Sequence, residues 1–474
     1  MKLRKILDQC KTKFSVENFS DMNINGISDF SKGVRKNFIF AAIKGQKSNG
    51  ENFICELLIL KELVLILSKK TKININLKLN SKIVIIKTQN VRLMFSEISS
   101  IFYPNKIKEK IAVTGTNGKT SITNYVMQLW NKKNQIGSSV GTLGFIYKKK
   151  VIQESNLTTH DTLTNHKYLN KITKMGCKRI IFEASSIGLD QFRLYPIKFD
   201  AIAFTNLSRD HLDYHRSMKD YMDCKSLLFK NYVKNDSFSV INSDSVYSKY
   251  FLKIFKKNNI TVLDYGKKGS FLKIKKLNRI KEKFLVSLKL LNTSFHIEIK
   301  STTSFEIYNK ICALLLVFGE KIKIDDFKLI KKLRNPKGRM EKIYDKKDIS
   351  VFIDYAHTPN ALKNVLTSLR EIVSGKLYLL FGCGGNRDKG KRLIMTKEAL
   401  KFSDHIIITD DNPRLEDPQI IREDMTKGLK ENDLDKITKI GGRKKAIKFS
   451  VSKLRQGDIL LIAGKGHENY QIIG

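Results

Sequence analysis

A glycine-rich run near residue 115 has the composition of a loop that binds phosphate. It reads T-G-T-N-G-K-T-S at residues 114–121, between an apolar run at 110–114 and a helical pattern at 122–130. Such glycines let backbone N–H groups converge on phosphate oxygens at a helix N-terminus. Lys119 would neutralise the outer phosphates, and the Thr120 hydroxyl would sit on Mg²⁺. Val113 stands where the usual G-x-x-x-x-G-K-[ST] pattern has its first glycine, so a chance glycine turn is the alternative.

An acid and a histidine follow two later apolar runs. Glu183 ends the run at 179–183, and His211 comes shortly after the run at 199–205. At adjacent strand ends they could ligate a divalent ion between phosphates and an acyl acceptor. Taken singly, Glu183 could instead be a carboxylate at a helix N-terminus, and His211 a hydrogen-bonded loop histidine. Lys225, on its spacing alone, is a lysine on an amphipathic helix.

The elements that would position these residues alternate along the chain from about Lys108 onward. The strand candidates lie at 110–114, 179–183, 199–205, 350–354, 377–381, 405–409 and 458–463. Apolar runs that alternate with helical patterns predict a doubly wound α/β fold with parallel sheets. Polar and glycine-rich residues follow nearly every run, and ligands of such sheets bind outside the carboxyl ends of the strands.

The first hundred residues differ from the rest. Their strand candidates at 37–43 and 82–87 are short, and no phosphate loop accompanies them, which indicates a separate small domain. The apolar stretch from Leu57 to Leu67 is interrupted by Lys61 and Glu62 and is too short to span a bilayer. We interpret it as a buried helix.

Composition limits the class of protein. A length of 474 residues predicts two or three domains. The net charge of +42 would suit nucleic-acid binding, but the lysines are spread along the chain without a nucleic-acid motif. A lysine-rich solvated surface that attracts an anionic substrate is the alternative.

The six cysteines lack a C-x-x-C pair, which argues against a disulfide framework or structural zinc. No signal peptide pattern opens the chain, so we expect a cytoplasmic protein without membrane insertion.

Several ordered motifs resemble those of the Mur ligases from about residue 27 to the end of the chain. Their specificity comes from order and spacing together. The motifs are G-T-N-G-K-T-S at 115–121, T-T-H-D-T-L at 158–163, E-A-S-S-x-G-L-D-Q-x-R at 183–193, F-T-N-L-S-R-D-H-L-D-Y-H at 204–215, Y-x-x-C-K-S-x-L-F at 221–229, G-R-M-E at 338–341, D-Y-A-H-T-P-N-A-L at 354–362, G-C-G-G-N-R-D-K-G-K-R at 382–392, D-N-P-R at 411–414 and G-K-G-H-E-N-Y-Q at 464–471.

The resemblance implies three domains. These are a small N-terminal α/β UDP-binding domain at 1–107, a central P-loop-type ATPase domain at 108–333 and a C-terminal Rossmann-like amino-acid-binding domain at 334–474. Relatives usually continue beyond G-K-G-H-E with a further strand and helix, so the last domain is expected to be short at its end.

The implied activity is an ATP-dependent ligation in peptidoglycan precursor synthesis. Meso-diaminopimelate is added to UDP-N-acetylmuramoyl-L-alanyl-D-glutamate through an acyl phosphate on the D-glutamate carboxylate. The implied cofactors are ATP, Mg²⁺ at two sites and an N-carboxylated Lys225, and the implied state is a monomer without a nucleic-acid partner.

The resemblance also assigns site residues. The nucleotide set is Gly115, Thr116, Asn117, Gly118, Lys119, Thr120, Ser121, Asn309, Arg339, Asp354 and His357. The metal set is Thr120, Glu183, His211 and Lys225, and the catalytic set is Lys119, Glu183, His211 and Lys225. The UDP-muramoyl dipeptide set is Ser31, Thr158, Thr159, Ser185, Gln191 and Arg193. The amino-acid set is Arg387, Asp411, Asn412, Pro413, Arg414, Gly464 and Glu468.

The chain departs from the family pattern at a few positions. D-S-R becomes Phe30-Ser31-Lys32, which weakens the uridine assignment, T-T-P becomes Thr158-Thr159-His160, and Glu306 stands where the family has Asn.

The alternatives are a lysine-adding tripeptide synthetase, a folylpolyglutamate synthetase-like ligase and a non-catalytic ATP-binding module. D-N-P-R and G-K-G-H-E argue against the second, and joint retention of Lys119, Glu183, His211 and Lys225 argues against the third.

Overall fold

The computed structural model describes residues 1–45, 48–72, 82–155, 157–280 and 283–474. Its strands are β1 (Phe14–Glu17), β2 (Gly26–Ser28), β3 (Phe38–Ala41), β4 (Glu62–Ser68), β5 (Lys82–Thr88), β6 (Glu109–Thr114), β7 (Ser138–Gly141), β8 (Gly144–Tyr147), β9 (Lys150–Gln153), β10 (Arg179–Glu183), β11 (Phe199–Phe204), β12 (Val233–Asn242), β13 (Thr261–Gly266), β14 (Leu272–Ile280), β15 (Lys283–Leu290), β16 (Thr293–Lys300), β17 (Glu341–Lys346), β18 (Ile349–Ile353), β19 (Leu377–Phe381), β20 (His405–Ile408), β21 (Ile437–Lys439) and β22 (Ile459–Ile462).

The chain also forms α-helices. They are α1 (Leu3–Leu7), α2 (Ile54–Leu57), α3 (Val91–Phe102), α4 (Lys119–Lys132), α5 (Thr162–Lys174), α6 (Ser186–Asp190), α7 (Met218–Asn231), α8 (Ser248–Lys257), α9 (Ser304–Phe318), α10 (Pro359–Arg370), α11 (Lys391–Leu400), α12 (Pro418–Asp424), α13 (Glu431–Leu434) and α14 (Arg443–Ser452). Within the described ranges, none of the helices combines the length and apolar character needed to cross a bilayer.

The chain divides into two compact units. The first comprises Met1–Lys110, Ile136–Asp200 and Asn231–Lys234, and the second comprises Ile111–Gln135, Ala201–Lys230 and Asn235–Gly474. The bounds of the three predicted domains stay predictions.

A five-stranded sheet, in the order β1-β5-β4-β3-β2, opens the first unit. Its strands are parallel except β1. The interpretation of Leu57 to Leu67 as a buried helix is wrong, because α2 ends at Leu57 and Glu62–Ser68 forms strand β4. A strand buried on both faces of a parallel sheet has a continuous apolar sequence, which does not distinguish it from a buried helix. The unit also holds β7, β8, β9 and β10, with β10 parallel to β7.

The second unit carries the phosphate loop and a six-stranded sheet. Strand β6 pairs in parallel with β11, and the six-stranded sheet has the order β17-β18-β22-β19-β20-β21. All of its neighbouring strands are parallel except β17 and β18. Its core packs Leu379, Phe381 and Leu461 against Leu362 and Leu366 of α10. The predicted α/β fold class is confirmed, and the strands foreseen at 179–183 and 377–381 have the predicted bounds.

Candidate active site

The phosphate loop links the end of β6 to the start of α4. Its two glycines have positive φ angles, 150° at Gly115 and 91° at Gly118. A Cβ atom on Gly115 would lie 1.9 Å from the Thr205 hydroxyl oxygen, and one on Gly118 would lie 2.6 Å from Oδ1 of Asn309. Both the backbone angle and the close approach therefore require glycine here.

The loop after β11 holds the phosphate loop in place. The backbone N–H of Asn117 donates to Oδ1 of Asn206 at 2.9 Å, and the Thr205 hydroxyl donates to the carbonyl of Asn117 at 2.6 Å. The hydroxyl groups of Thr116 and Tyr221 lie 3.1 Å apart. Side chains from two other segments thus fix the backbone that would receive phosphate oxygens.

Two lysines meet at this loop. Lys119 Nζ donates to the carbonyls of Gly115 and Thr116 at 2.8 and 3.0 Å. Lys225 is buried on α7, and its Nζ also donates to the Gly115 carbonyl, at 3.0 Å. Burial, followed by the charge of Lys119, lowers the pKa of Lys225 well below its usual value. The neutral amine is the form that can react with CO₂, so this environment fits the carbamate that the resemblance implies.

His211 adjoins a buried acid. It has a φ of 54°, and burial lowers its pKa to about 4, so its imidazole is neutral near pH 7 and available as a ligand. Asp210 is buried, and one of its oxygens lies 3.4 Å from Nε2 of His211 and 3.6 Å from Nε2 of His357. Nζ of Lys391 lies 3.6 Å from the other oxygen of Asp210. Sequence analysis missed Asp210 and Lys391, although both lie within the quoted motifs.

Glu183 lies in the first unit at the end of β10. Its carboxylate is buried and accepts the backbone N–H of Thr142 at 2.9 Å and the Thr142 hydroxyl at 3.1 Å. A Cβ atom on Gly141 would lie 2.2 Å from Oε1 of Glu183, so glycine makes room for the carboxylate. A hydroxyl, a carboxylate and a neutral imidazole are donors that divalent cations accept, so Thr120, Glu183 and His211 fit the metal chemistry predicted for them.

A pocket of the second unit brings the phosphate loop together with residues far along the chain, and we call it the nucleotide pocket because predicted nucleotide residues line it. Asn117, Gly118, Ser121, Asn309, Arg339 and Asp354 line it. Arg339 donates from Nη2 to the Thr120 hydroxyl at 3.1 Å. Asp354 accepts the backbone N–H groups of Met340 and Ala356, each at 2.7 Å, and burial raises its pKa. Seven predicted nucleotide residues therefore come together, counting Thr120 through its bond to Arg339. His357 instead faces Asp210.

The predicted amino-acid residues form a second group in this unit. Arg414 has a φ of 53°, and its Nη1 donates to the carbonyls of Gly385 and Asn412 at 2.9 and 3.3 Å. Asn412 Nδ2 donates to Oε2 of Glu468 at 3.1 Å. At Gly464, where φ is 101°, a Cβ atom would lie 3.0 Å from Oδ2 of Asp411.

Two further members of the predicted amino-acid set lie close to Arg414. Arg387 is half exposed, with Nη1 3.7 Å from Oδ2 of Asp213. Pro413 directs its carbonyl at Gly385, where a Cβ atom would lie only 1.9 Å from that oxygen.

The predicted UDP-dipeptide residues cluster in the first unit. The Thr159 hydroxyl donates to the Glu183 carbonyl at 2.7 Å and accepts the Ser185 backbone N–H at 2.9 Å. Arg193 donates to the Thr159 carbonyl at 2.7 Å and to Oε1 of Gln191 at 2.8 Å. The Thr142 hydroxyl bonds that of Thr158 at 3.2 Å. A cavity of about 380 Å³ is lined by residues that include Ser31, Arg92, Gln191 and Arg193.

Comparisons with known proteins identify the family. Residues 113–317 match the Mur ligase middle domain, and residues 338–466 match the glutamate ligase domain of Mur ligases. A UDP-N-acetylmuramoyl-L-alanyl-D-glutamate–2,6-diaminopimelate ligase of Rickettsia conorii is 39% identical over 462 residues, which cover 96% of this chain and 94% of that protein. The chain belongs to the Mur ligase family.

Two further relatives of this Mur ligase carry the same name. The one from Aquifex aeolicus is 36% identical over 452 residues, which cover 95% of this chain and 90% of that protein. A solved structure is 32% identical with a TM-score of 0.64, and the match covers 95% of this chain and 91% of that chain. As a member of this family, the protein is an ATP-dependent ligase that forms a carbon–nitrogen bond.

Other side chains of this Mur ligase were not foreseen. Tyr125, Asn206, Asn335 and Tyr355 line the nucleotide pocket, and Lys465 contacts Glu468. Tyr355 and Lys465 lie inside D-Y-A-H-T-P and G-K-G-H-E, so the motifs themselves were the available signal. Tyr125 and Asn335 lie outside the quoted motifs, and their hydrogen bond joins residues 210 positions apart.

Proposed function

We propose that this Mur ligase joins meso-diaminopimelate to UDP-N-acetylmuramoyl-L-alanyl-D-glutamate in peptidoglycan precursor synthesis. The observation that carries the proposal is the grouping of Asn412, Arg414 and Glu468 in one loop cluster of the second unit. A guanidinium beside a fixed carboxylate suits the distal end of meso-diaminopimelate, which carries a second carboxylate next to its amine, as lysine does not. Relatives named for the 2,6-diaminopimelate reaction align over nearly the whole chain and support the same substrate.

The chemistry proceeds in two steps. A D-glutamate carboxylate oxygen attacks the γ-phosphorus of ATP, ADP leaves, and an acyl phosphate forms because a free carboxylate is a poor electrophile. Backbone N–H groups of the phosphate loop and the charge of Lys119 offset the negative charge that builds on the transferring group. The diaminopimelate amine then attacks the acyl carbon, loses a proton and expels phosphate.

We propose Thr120, Glu183, His211 and a carbamate on Lys225 as the residues that hold Mg²⁺ at two sites. When bound, the metal supplies positive charge that neutralises phosphate oxygens. The lowered pKa of the buried Lys225 supports the carbamate, because its neutral amine can react with CO₂ and the product is a carboxylate that can ligate. The remaining expectations, namely domains at 1–107, 108–333 and 334–474, a cytoplasmic location and a monomer, belong to the same proposal.

Phosphate release tests the proposal directly. Purified protein is given ATP, Mg²⁺, the UDP-muramoyl dipeptide and, in separate reactions, meso-diaminopimelate, lysine and other diamino acids, and the ligated product is measured by mass spectrometry. Meso-diaminopimelate should give stoichiometric phosphate and product. Lysine as the preferred substrate would establish the lysine-adding alternative. Turnover of folate with glutamate, but not of the dipeptide, would establish the folylpolyglutamate synthetase-like alternative.

The Lys119→Ala variant tests the ATP-dependent chemistry independently of which amino acid is added. It should abolish phosphate release with every amino acid while the melting temperature stays unchanged, because Lys119, at the start of α4, contributes charge to the transition state more than packing. Lys132→Ala, at the exposed end of the same helix α4, is the matched control and should keep wild-type activity. Normal turnover by a folded Lys119→Ala protein would refute the role of the phosphate loop.

A further inference from the structure

Tyr355 lies between the nucleotide pocket and the Glu468 cluster, which we define as Asn412, Lys465 and Glu468. Tyr355 is one of the residues that line the nucleotide pocket. Its hydroxyl lies 3.1 Å from Oε1 of Glu468, a residue 113 positions further along the chain. Tyr355 itself belongs to none of the predicted nucleotide, metal or amino-acid sets, although it follows Asp354 directly.

On the nucleotide side, the ring of Tyr355 supports Arg339. The guanidinium carbon of Arg339 lies 4.2 Å from the ring centroid, a distance typical of a cation–π contact. The same guanidinium donates from Nη2 to the Thr120 hydroxyl at the start of α4. Its Nε is buried and has no hydrogen-bond partner among the described residues.

On the amino-acid side, the hydroxyl of Tyr355 helps to fix the Glu468 carboxylate. Oε2 of Glu468 accepts from Nζ of Lys465 at 2.9 Å and from Nδ2 of Asn412 at 3.1 Å, while Oε1 accepts from Tyr355. Burial alone would raise the pKa of Glu468, but the bonds from Lys465 and Asn412 lower it, so the carboxylate stays ionised. Burial and the charge of Glu468 raise the pKa of Tyr355, so its hydroxyl remains a donor at neutral pH.

We propose that Tyr355 is a positioning residue that couples occupancy of the nucleotide pocket to the affinity for the incoming diamino acid, an inference that rests on the proposed function. A nucleotide that fixes Arg339 also fixes the ring beneath it, and the ring carries the hydroxyl that orients Glu468. When the nucleotide has already ordered Glu468, amino-acid binding no longer carries the conformational-entropy cost of ordering that side chain. The affinity for the amino acid therefore rises. Coupling between two sites is reciprocal, so diaminopimelate strengthens nucleotide binding by the same factor.

Tyr355→Phe tests this coupling, because it keeps the ring beneath Arg339 and removes only the hydroxyl. The Kd of meso-diaminopimelate is measured by calorimetry with and without a non-hydrolysable ATP analogue and Mg²⁺. For the wild type we expect the analogue to tighten binding roughly tenfold, within the usual range of site-to-site coupling. For Tyr355→Phe the two Kd values should agree within about twofold, while the analogue alone binds with nearly wild-type affinity because the stacked ring remains.

Tyr378→Phe is the matched control. It makes the same chemical change on strand β19 of the six-stranded sheet, at a residue that belongs to neither the nucleotide pocket nor the Glu468 cluster, and should keep the full coupling. If Tyr355→Phe does not fold, Arg339→Lys replaces it. A lysine keeps the positive charge but loses the planar contact with the Tyr355 ring, so the Kd values of diaminopimelate with and without the analogue should again become nearly equal.

Two outcomes would overturn the inference. One is a wild type whose Kd for diaminopimelate does not respond to the analogue. The other is a folded Tyr355→Phe protein that retains the wild-type ratio. Failure of the proposed function is distinguishable from both, because the wild type would then bind no diaminopimelate with or without the analogue and would form no ligated product.

Discussion

At the scale of single residues, burial gives Lys225 chemistry that its sequence position does not reveal. Its amine lies among the phosphate loop backbone, the Tyr221 ring and a second lysine, all of which lie in the second unit. Desolvation disfavours the charged amine, and the nearby positive charge of Lys119 disfavours it further. A surface lysine would remain an ammonium near pH 7 and would react poorly with CO₂.

We predict that Lys225 carries a carbamate that is lost on acidification and restored by bicarbonate, because acid protonates and decomposes the carbamate. Lys225→Ala should be nearly inactive and partly rescued by a small added carboxylate that occupies the vacated position. ¹³C NMR with labelled bicarbonate should detect the modification in the wild type.

Lys219→Ala, on the exposed face of the same helix α7, is the control for this experiment and should keep both activity and the labelled signal. An unmodified amine in the presence of nucleotide, Mg²⁺ and bicarbonate would contradict the prediction.

Arg414 is the second residue whose conformation depends on its tertiary contacts. Its backbone adopts the left-handed region, and its N–H donates to the carbonyl of Ile472 at 3.0 Å while its own carbonyl accepts from Gly474, also at 3.0 Å. These backbone contacts hold a conformation that non-glycine residues disfavour. A guanidinium so held can pair with the second carboxylate of diaminopimelate through two parallel hydrogen bonds.

We predict that Arg414→Ala lowers kcat/KM for meso-diaminopimelate about a hundredfold or more, because each lost charge-assisted hydrogen bond is worth roughly 1.5–3 kcal/mol. The wild type should nearly ignore lysine, which lacks that carboxylate and leaves the arginine unpaired. Arg455→Ala, at an exposed position, should have wild-type kinetics. Equal kcat/KM for the two amino acids in the wild type would refute this specificity while leaving the ligase chemistry intact.

At the scale of elements, the loop between β6 and α4 is a place where the structure requires glycine. Helix α4 begins at Lys119 directly after Gly118, so the helix N-terminus and the loop amides face the same pocket. A helix N-terminus attracts anions through its free N–H groups and its dipole. The loop can present these groups only while Gly118 keeps its positive φ and Asn309 stays close to it.

We predict that Gly118→Ala weakens binding of an ATP analogue at least tenfold, since a Cβ atom would both strain the backbone and displace Asn309. Calorimetry with the analogue measures the effect. Gly428→Ala is the control: its φ is also positive, at 83°, but nothing lies within 4 Å of the added Cβ, so it should cost stability without affecting nucleotide binding. Unchanged affinity in Gly118→Ala would refute the assigned role of the loop.

At the scale of the whole molecule, the net charge of +42 acts on stability more than on fold. Like charges repel most strongly when the chain is compact, and dissolved salt screens that repulsion. Individual ion pairs on the surface contribute little by comparison, because solvent screens them.

We therefore predict that raising sodium chloride from about 10 mM to about 150 mM raises the melting temperature by several degrees, since the Debye length falls from roughly 30 Å to 8 Å. Differential scanning calorimetry without substrates measures the shift. Sodium fluoride at the same ionic strength is the control and should give a similar rise, because screening depends on ionic strength. A melting temperature that falls with salt would mean that attraction within ion pairs outweighs repulsion among the excess positive charges.

The amino-acid sequence alone determined the family, the α/β class, strands such as β10 and β19, and the phosphate loop. These follow from local patterns, namely apolar runs such as 377–381 and glycines that only certain turns require. Tertiary structure decided that Leu63 to Leu67 belong to a strand, because burial on both faces comes from neighbouring strands. It also decided that the Tyr355 hydroxyl meets Glu468 and that the Lys225 amine meets Gly115. Hydrogen bonds between residues more than a hundred positions apart, and the desolvation that shifts a pKa, depend on how the chain packs, which no local pattern records.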